Sequence, residues 1–271
     1  MKHIGEAEQI RSFLDSRLRR PGWGVVPEPL RPRTADAGYR LQRQVHRQLS
    51  QAGNPRVGYK IGCTAPSSRA PFGLREPIYA GIFTDTRHDT LASALAMPLI
   101  EPSIECEIAV SLGADIDPIA EPADDVLLAA IASMHVACEV VDSRYGMPPA
   151  RVGVPTLLVD DFLHAAFVLG SAVPASASTL LGPSARLHRD GEVRFAPVPD
   201  TLPPLHALRW LVGKLAHNGD RLRAGEIVLT GSILEPVPVV TRPTSLALHV
   251  DGAGTLTMEP GVTSQQTFRS Q

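Results

Sequence analysis

The run Ile104-Glu105-Cys106-Glu107-Ile108-Ala109-Val110 decides how this chain is read. Side chains alternate along a strand with period two. Ile104, Cys106, Ile108, Val110 and Leu112 therefore share one face, all apolar, while Glu105 and Glu107 share the other with Ala109. Two carboxylates on one face of so apolar a strand repel each other. Each also costs several kcal/mol to desolvate unless something neutralises it. A divalent cation is the simplest neutraliser. The alternative at this point is a solvated sheet face on which the glutamates need no partner.

A second apolar run, His135-Val136-Ala137-Cys138-Glu139-Val140-Val141-Asp142, carries one more carboxylate in mid-strand. Three carboxylates at one place suit a hard, oxygen-seeking ion such as Mg²⁺ or Mn²⁺. Zinc fits less well, because no His pair has ligand spacing and the three cysteines (Cys63, Cys106, Cys138) are scattered. Three protein ligands on an octahedral ion leave positions open, enough for the carboxylate and keto oxygens of a 2-oxo acid. Lys60, in Gly58-Tyr59-Lys60-Ile61-Gly62, shares its strand face with two glycines, which leave room for another group to approach. A dication beside this lysine would disfavour its charged form and make it a usable proton donor or acceptor. The plainer alternative is a lysine whose head reaches solvent.

Composition narrows the field. At 271 residues the chain suits one large domain, or a main body with an attachment. We expect an N-terminal helical region with the first strand over 1–75 and a β-rich body over 76–271. A formal net charge of −2 gives no electrostatic case for nucleic acid or an anionic membrane. No apolar run reaches the roughly 18 residues of a spanning helix. Glu6, Glu8 and Arg11 replace the apolar core of a secretory signal, and an odd cysteine count without CxxC predicts a cytoplasmic setting.

Hydrophobic periodicity predicts helices from Ala7 to Leu18, stopped by Pro21-Gly22, then from about Thr34 to Leu49, from Pro122 to Met134, and from Leu205 to Ala216. Strands are predicted at Val57–Cys63, Ile78–Phe83, Glu105–Leu112, His135–Asp142, Glu226–Thr230, Leu246–Val250 and Thr255–Met258. The class is α+β.

Gly58-Tyr59-Lys60-Ile61-Gly62, Glu76-Pro77-Ile78-Tyr79, Glu105-Cys106-Glu107-Ile108-Ala109 and Glu139-Val140-Val141-Asp142-Ser143-Arg144-Tyr145 occur in that order. They resemble the 2-keto-4-pentenoate hydratase and 4-oxalocrotonate decarboxylase group of the fumarylacetoacetate hydrolase superfamily. Trp210-Leu211, Leu215-Ala216 and the run Ile227–Ser232 resemble its C-terminal pattern. The resemblance implies a fumarylacetoacetate-hydrolase-like mixed β-sheet roll with an N-terminal helical region. It implies that Glu105, Glu107 and Glu139 bind Mg²⁺ or Mn²⁺, that Lys60 lies beside the substrate, and that Gly62, Gly231 and Ser232 approach it. It also implies homo-oligomers, association with a companion pathway enzyme, and a place in aromatic compound catabolism.

Two departures stand out. Ile78 occupies a position where hydratases of the group usually carry an acid, and Pro77-Ile78-Tyr79 looks more like the decarboxylases. Asp160-Asp161-Phe162-Leu163-His164 stands where relatives tend to have Asp-Asn-Ala-Ser, so that Asp161 replaces an asparagine and Leu163 a serine. Ile78, Asp161 and Leu163 are therefore expected on the substrate side, with His164 as a candidate replacement acid or base. Asp142 and Arg144 are expected to form a structural pair, and His135, which shares a face with Glu139, reads as a satisfied core histidine ahead of a neighbour of that glutamate. The activity implied is that of a metal-dependent lyase on a small unsaturated 2-oxo acid, closest to 2-keto-4-pentenoate hydratase. Decarboxylation of a 4-oxalocrotonate-type acid is the alternative, followed by acylpyruvate hydrolysis or a non-catalytic binding subunit.

Overall fold

The computed structural model describes residues 5–18, 26–143, 145–194, 197–240 and 245–258. Arg144 and Pro21-Gly22 lie outside them. The chain opens with α1 (Glu6–Leu18) and α2 (Ala35–Gln51), then β1 (Arg56–Gly62), α3 (Pro66–Arg69), β2 (Ile78–Phe83), β3 (Arg87–His88) and α4 (Leu91–Leu95). The two long central strands follow, β4 (Pro102–Leu112) and β5 (Ile131–Asp142), with α5 (Asp124–Ala130) between them. Next come α6 (Pro149–Val152), α7 (Val154–Val159), β6 (His164–Leu169), α8 (Ala177–Leu181), β7 (Ala185–Arg189) and β8 (Glu192–Arg194). The chain closes with α9 (Pro204–His217), β9 (Ile227–Ser232), β10 (Val237–Pro238), β11 (Leu246–Val250) and β12 (Gly254–Met258).

The main sheet is mixed and runs β2-β1-β9-β4-β5-β6-β3, with β10 added alongside β4. β1 pairs with β9, and β3 with β6, in parallel; the other neighbours are antiparallel. A second, antiparallel sheet, β12-β11-β7-β8, packs on β5 through β11 and β12. This is the mixed β-roll with N-terminal helices that the sequence implies. None of the described helices is long and apolar enough to cross a membrane.

Local chemistry explains most boundaries. Thr34 caps α2 by accepting from the Ala37 N–H, Asp36 sits in its positive first turn, and the left-handed Gly53 (φ 90°) follows its end. Pro204 opens α9, which buries Leu205, Leu208, Leu211, Val212 and Leu215. Each such side chain contributes roughly 1.5–3 kcal/mol relative to exposure. One expected boundary needs correction. The helix read from Pro122 to Met134 stops at Ala130, and Ile131–Met134 belong to β5. Pairing of Leu112 with Ile131, and of Val110 with Met134, draws these residues into the sheet despite their helical spacing. β6, β7 and β8 were not marked as strands by the pattern.

The N-terminal helices are fastened to the body by one buried carboxylate. Asp161 Oδ2 accepts from the Arg17 guanidinium of α1. Its Oδ1 lies 2.8 Å from His46 Nε2 of α2 and accepts from the Gly81 N–H of β2 at 2.8 Å and Gln42 Nε2 at 3.5 Å. Arg17 and Asp161 are 7% and 0% exposed at the side chain. Burial alone would raise the Asp161 pKa, but the Arg17 charge and the His46 bond outweigh it and hold it well below the usual range.

A carboxyl depressed on folding stabilises the protein above its unfolded pKa, about 3.9, and loses that contribution as pH falls through the folded value. Asp161→Asn should therefore cost about 3–5 kcal/mol at pH 7, because it strands the buried Arg17 charge. It should also flatten the loss of stability below about pH 4. Denaturant melts at pH 7 and pH 3 check both; equal acid slopes for the two proteins would refute the assignment.

Candidate metal centre

Register places the glutamates. Antiparallel pairing sets Glu105 opposite Glu139, while Glu107 pairs with Ala137 on one side and Ser232 on the other. The period-two alternation puts Ile104, Cys106 and Ile108 into the apolar core and the glutamates on the opposite face. Oxygens of Glu105, Glu107 and Glu139 all lie within 4.8 Å of one another. Glu107 and Glu139 are fully buried and Glu105 half-buried, so the solvated-face reading does not hold.

Each buried glutamate is held by one oxygen and leaves the other without a partner. Glu107 Oε2 accepts from the Gly231 N–H at 2.8 Å, and Glu107 Oε1 is unpaired. Glu139 Oε1 lies 3.2 Å from Lys60 Nζ and 2.8 Å from His164 Nδ1, and Glu139 Oε2 is unpaired. Buried carboxylate oxygens without a partner are rare and expensive. Two of them in a trio of carboxylates fit a hard divalent cation.

The electrostatics point the same way. Burial, then the charge of Glu139, pushes Glu105 up to about 7. Burial and both neighbouring carboxylates raise Glu107 well above its usual value. Glu139 goes the other way: burial opposes ionisation, but Lys60 and His164 hold its pKa down at about 2. Burial would lower Lys60, yet the three carboxylates outweigh it and keep the ammonium charged. Burial lowers His164, against the pull of Glu139.

Two glycines shape the surroundings. β9 carries an extra residue opposite Glu107–Ala109, and Gly231 sits there at φ 100°. This bulge turns the Gly231 N–H out of the ladder and toward Glu107. A Cβ on Gly231 would fall 2.5 Å from Thr64 Cγ2, so both conformation and space demand glycine. At Gly62 a Cβ would lie 2.9 Å from Ile78 Cδ1 and 3.6 Å from Lys60 Nζ, so both side chains border the space this glycine leaves open. The room left by Gly58 is taken by the backbone of Ile227 in β9, not by open space.

Lys60, His164, Gly231, Gly62 and Ile78 are thus gathered around the trio. The Ser232 hydroxyl donates to Leu234 O at 2.6 Å, and Leu163 packs against the main core. The Asp161 carboxylate is not at the trio; it faces the N-terminal helices. His135 binds Ser111, Ser133 and the Gly170 carbonyl rather than Glu139. Asp142 accepts from the Ile100 and Glu101 N–H groups. The pattern gave no sign of two participants. Thr86 Oγ1 lies 3.0 Å from His164 Nε2, and the Phe162 carbonyl accepts from Lys60 Nζ at 3.1 Å. A backbone carbonyl leaves no trace in residue type, and Thr86 sits 78 positions from its partner.

No family model matches the chain. The 2-keto-4-pentenoate hydratase of Burkholderia vietnamiensis is 33% identical over 226 residues, covering 82% of this chain and 84% of that protein. Among solved structures, 4-oxalocrotonate decarboxylase from Pseudomonas putida G7, complexed with magnesium and adipate, superposes with a TM-score of 0.80 at 22% identity, over 96% of this chain and 99% of the other. Fumarylpyruvate hydrolase from Pseudomonas aeruginosa, in complex with Mn²⁺ and pyruvate, gives 0.53 at 19% identity over 73% and 86%. The decarboxylase and hydrolase likenesses establish the fold. One-third identity to a hydratase across four-fifths of the sequence goes further: the chain belongs to the 2-keto-4-pentenoate hydratase family.

Proposed function

We propose that this protein is a divalent-cation-dependent lyase that hydrates a small unsaturated 2-oxo acid of the 2-hydroxypenta-2,4-dienoate type. The observation that carries the reading is the pair of unpaired buried oxygens, Glu107 Oε1 and Glu139 Oε2, beside Glu105 and Lys60. Glu105, Glu107 and Glu139 would hold Mg²⁺ or Mn²⁺, the ions that suit an all-carboxylate set. Such an ion, when bound, supplies Lewis-acid polarisation of the 2-oxo carboxylate.

The chain's own residues do the rest. Gly231 holds Glu107 by its N–H, and His164 holds Glu139, so that one oxygen of each carboxylate keeps a fixed aim. Both His164 ring nitrogens are engaged, by Glu139 and Thr86, which suits orientation of Glu139 better than proton shuttling. Lys60 Nζ is a donor buried beside the trio. It is placed to stabilise the substrate's enolate oxygen or to move a proton at it. Its charge is sustained by the same carboxylates that a cation would neutralise, so cation binding makes Lys60 more acidic.

A second reading is favoured by one residue. Ile78 is buried, pairs with Gly62 beside Lys60, and has no proton to give or take. Decarboxylation of a 2-oxo diacid needs the same enolate stabilisation and no added water, so an apolar group at Ile78 suits it. The fold likeness to 4-oxalocrotonate decarboxylase is consistent with this reading. Homo-oligomer formation, a companion pathway enzyme and a cytoplasmic setting accompany the proposal as extensions from the family.

Purified protein with Mg²⁺ or Mn²⁺ should remove the ultraviolet chromophore of 2-hydroxypenta-2,4-dienoate without releasing CO₂. CO₂ from 2-oxohex-3-enedioate would instead establish the decarboxylase reading, and inertness toward both would sink the lyase assignment. Glu107→Gln should weaken Mn²⁺ binding by roughly tenfold or more and abolish cation-dependent turnover. Titration calorimetry giving an unchanged affinity for that variant would remove Glu107 from the ligand set.

A further inference from the structure

Asp161, Phe162 and Leu163 have φ values of 52°, 47° and 70°. Non-glycine residues avoid this left-handed region because Cβ crowds the following carbonyl oxygen, and three in series are rarer still. Such a run persists only where its surroundings over-determine it. Here the over-determination enters through the Asp161 carboxylate, which is bonded to Arg17, His46, Gln42 and the Gly81 N–H. The fit is close: the Arg17 guanidinium lies 4.9 Å from the centre of the Phe83 ring, and a Cβ on Gly81 would meet His46 Cε1 at 2.6 Å.

The other end of the same turn is at the metal centre. The Phe162 carbonyl accepts from Lys60 Nζ at 3.1 Å, and its ring centre is 5.8 Å from that nitrogen. His164, the next residue but one, reaches Glu139 Oε1 at 2.8 Å. The turn therefore joins the N-terminal helices to two groups that touch Glu139. Among the described residues, the glutamates' partners are Gly231, Lys60 and His164, none of them in those helices.

We propose that Arg17 of α1 and His46 of α2 are positioning residues for the metal centre: through Asp161 they hold the left-handed turn that sets Lys60 and His164 against Glu139. This rests on the lyase reading of that centre. It makes the N-terminal helices part of the active machinery, although they supply no group to the trio. A rigid shell matters because small misplacements of a catalytic group reduce turnover steeply, by up to about a hundredfold for 1 Å.

The test uses the full chain with saturating Mn²⁺ and compares Arg17→Met, Arg17→Lys and Asp220→Asn. Asp220 pairs with Arg56 at 3.2 Å and accepts from Tyr59 OH at 2.6 Å, away from the turn, so its variant controls for general loss of stability. Two quantities are read, kcat and KM on 2-hydroxypenta-2,4-dienoate, and amide hydrogen exchange over residues 160–166. Arg17→Met should lower kcat roughly tenfold or more with KM within about twofold, and should speed exchange at the turn. Arg17→Lys should restore most of both, and Asp220→Asn should disturb neither. Unchanged exchange, faster exchange with unchanged kcat, or an equal fall in kcat for Asp220→Asn would each overturn the proposal. If Arg17→Met does not fold, His46→Leu leaves the ion pair in place and gives the same two readouts. A wild-type protein that turns over neither substrate counts against the lyase reading, while exchange at the turn still decides what Arg17 does.

Discussion

Three carboxylates with oxygens within 4.8 Å of one another, two buried and one half-buried, are the constraint to which the rest of this structure answers. Taken alone the arrangement is untenable, because each charge pays a desolvation penalty and repels the other two. The fold resolves it unevenly. Glu139 keeps its charge through Lys60 and His164, while Glu105 and Glu107 are pushed toward the protonated form. The division still leaves Glu107 Oε1 and Glu139 Oε2 without a partner. The β4–β5 register creates the problem by setting Glu105 opposite Glu139, and the β9 bulge at Gly231 and the β1–β9 pairing at Lys60 supply the answers.

Much of this was legible in the sequence, for a definite physical reason. Strand alternation is a local rule, so Glu105 and Glu107 declare their shared face within seven residues, and the glycines around Lys60 declare close packing within five. Two of the features that escaped show why. The helix end at Ala130 is decided by a ladder with β4, and ladder partners are not written in a helical hydrophobic pattern. The fate of Asp161 was misjudged for a similar reason. The turn it opens does reach the site, but its carboxylate is claimed by Arg17 and His46, which stand 144 and 115 positions away. An acidic residue read beside Asp160 and His164 resembles a catalytic group until those distant partners are known.

The same non-local wiring changes how the departures from the family pattern are understood. Asp161 and Leu163 look like losses when compared with an Asp-Asn-Ala-Ser run. In the structure Asp161 has exchanged a neutral amide for a charge, and that charge is matched by a buried arginine and an imidazole. A lone buried aspartate would be untenable, so the substitution is intelligible only together with Arg17 and His46. The turn it anchors also carries His164 to Glu139 and the Phe162 carbonyl to Lys60. On the proposal made above, this turn is a support for the centre rather than eroded machinery.

Ile78 is different, because it sets a buried apolar side chain where the family resemblance leads one to expect an acid. Its buried side chain borders the space at Gly62, whose Cβ position lies 3.6 Å from Lys60 Nζ, and an apolar group there leaves that flank drier than an acid would. A drier flank strengthens every electrostatic interaction the ammonium makes, including the one with a developing enolate. It also removes a place where a water molecule could be activated. Stabilisation of the enolate and delivery of water are thus separable, and on the proposed reading Lys60 and the glutamate trio would serve the first, with Ile78 contributing nothing to the second. Hydration here would have to draw its water from the open side of the centre, where Glu105 is half-buried, rather than from the Ile78 side. Decarboxylation would need no such delivery, so the two chemistries divide on one wall of a site that is otherwise common to both.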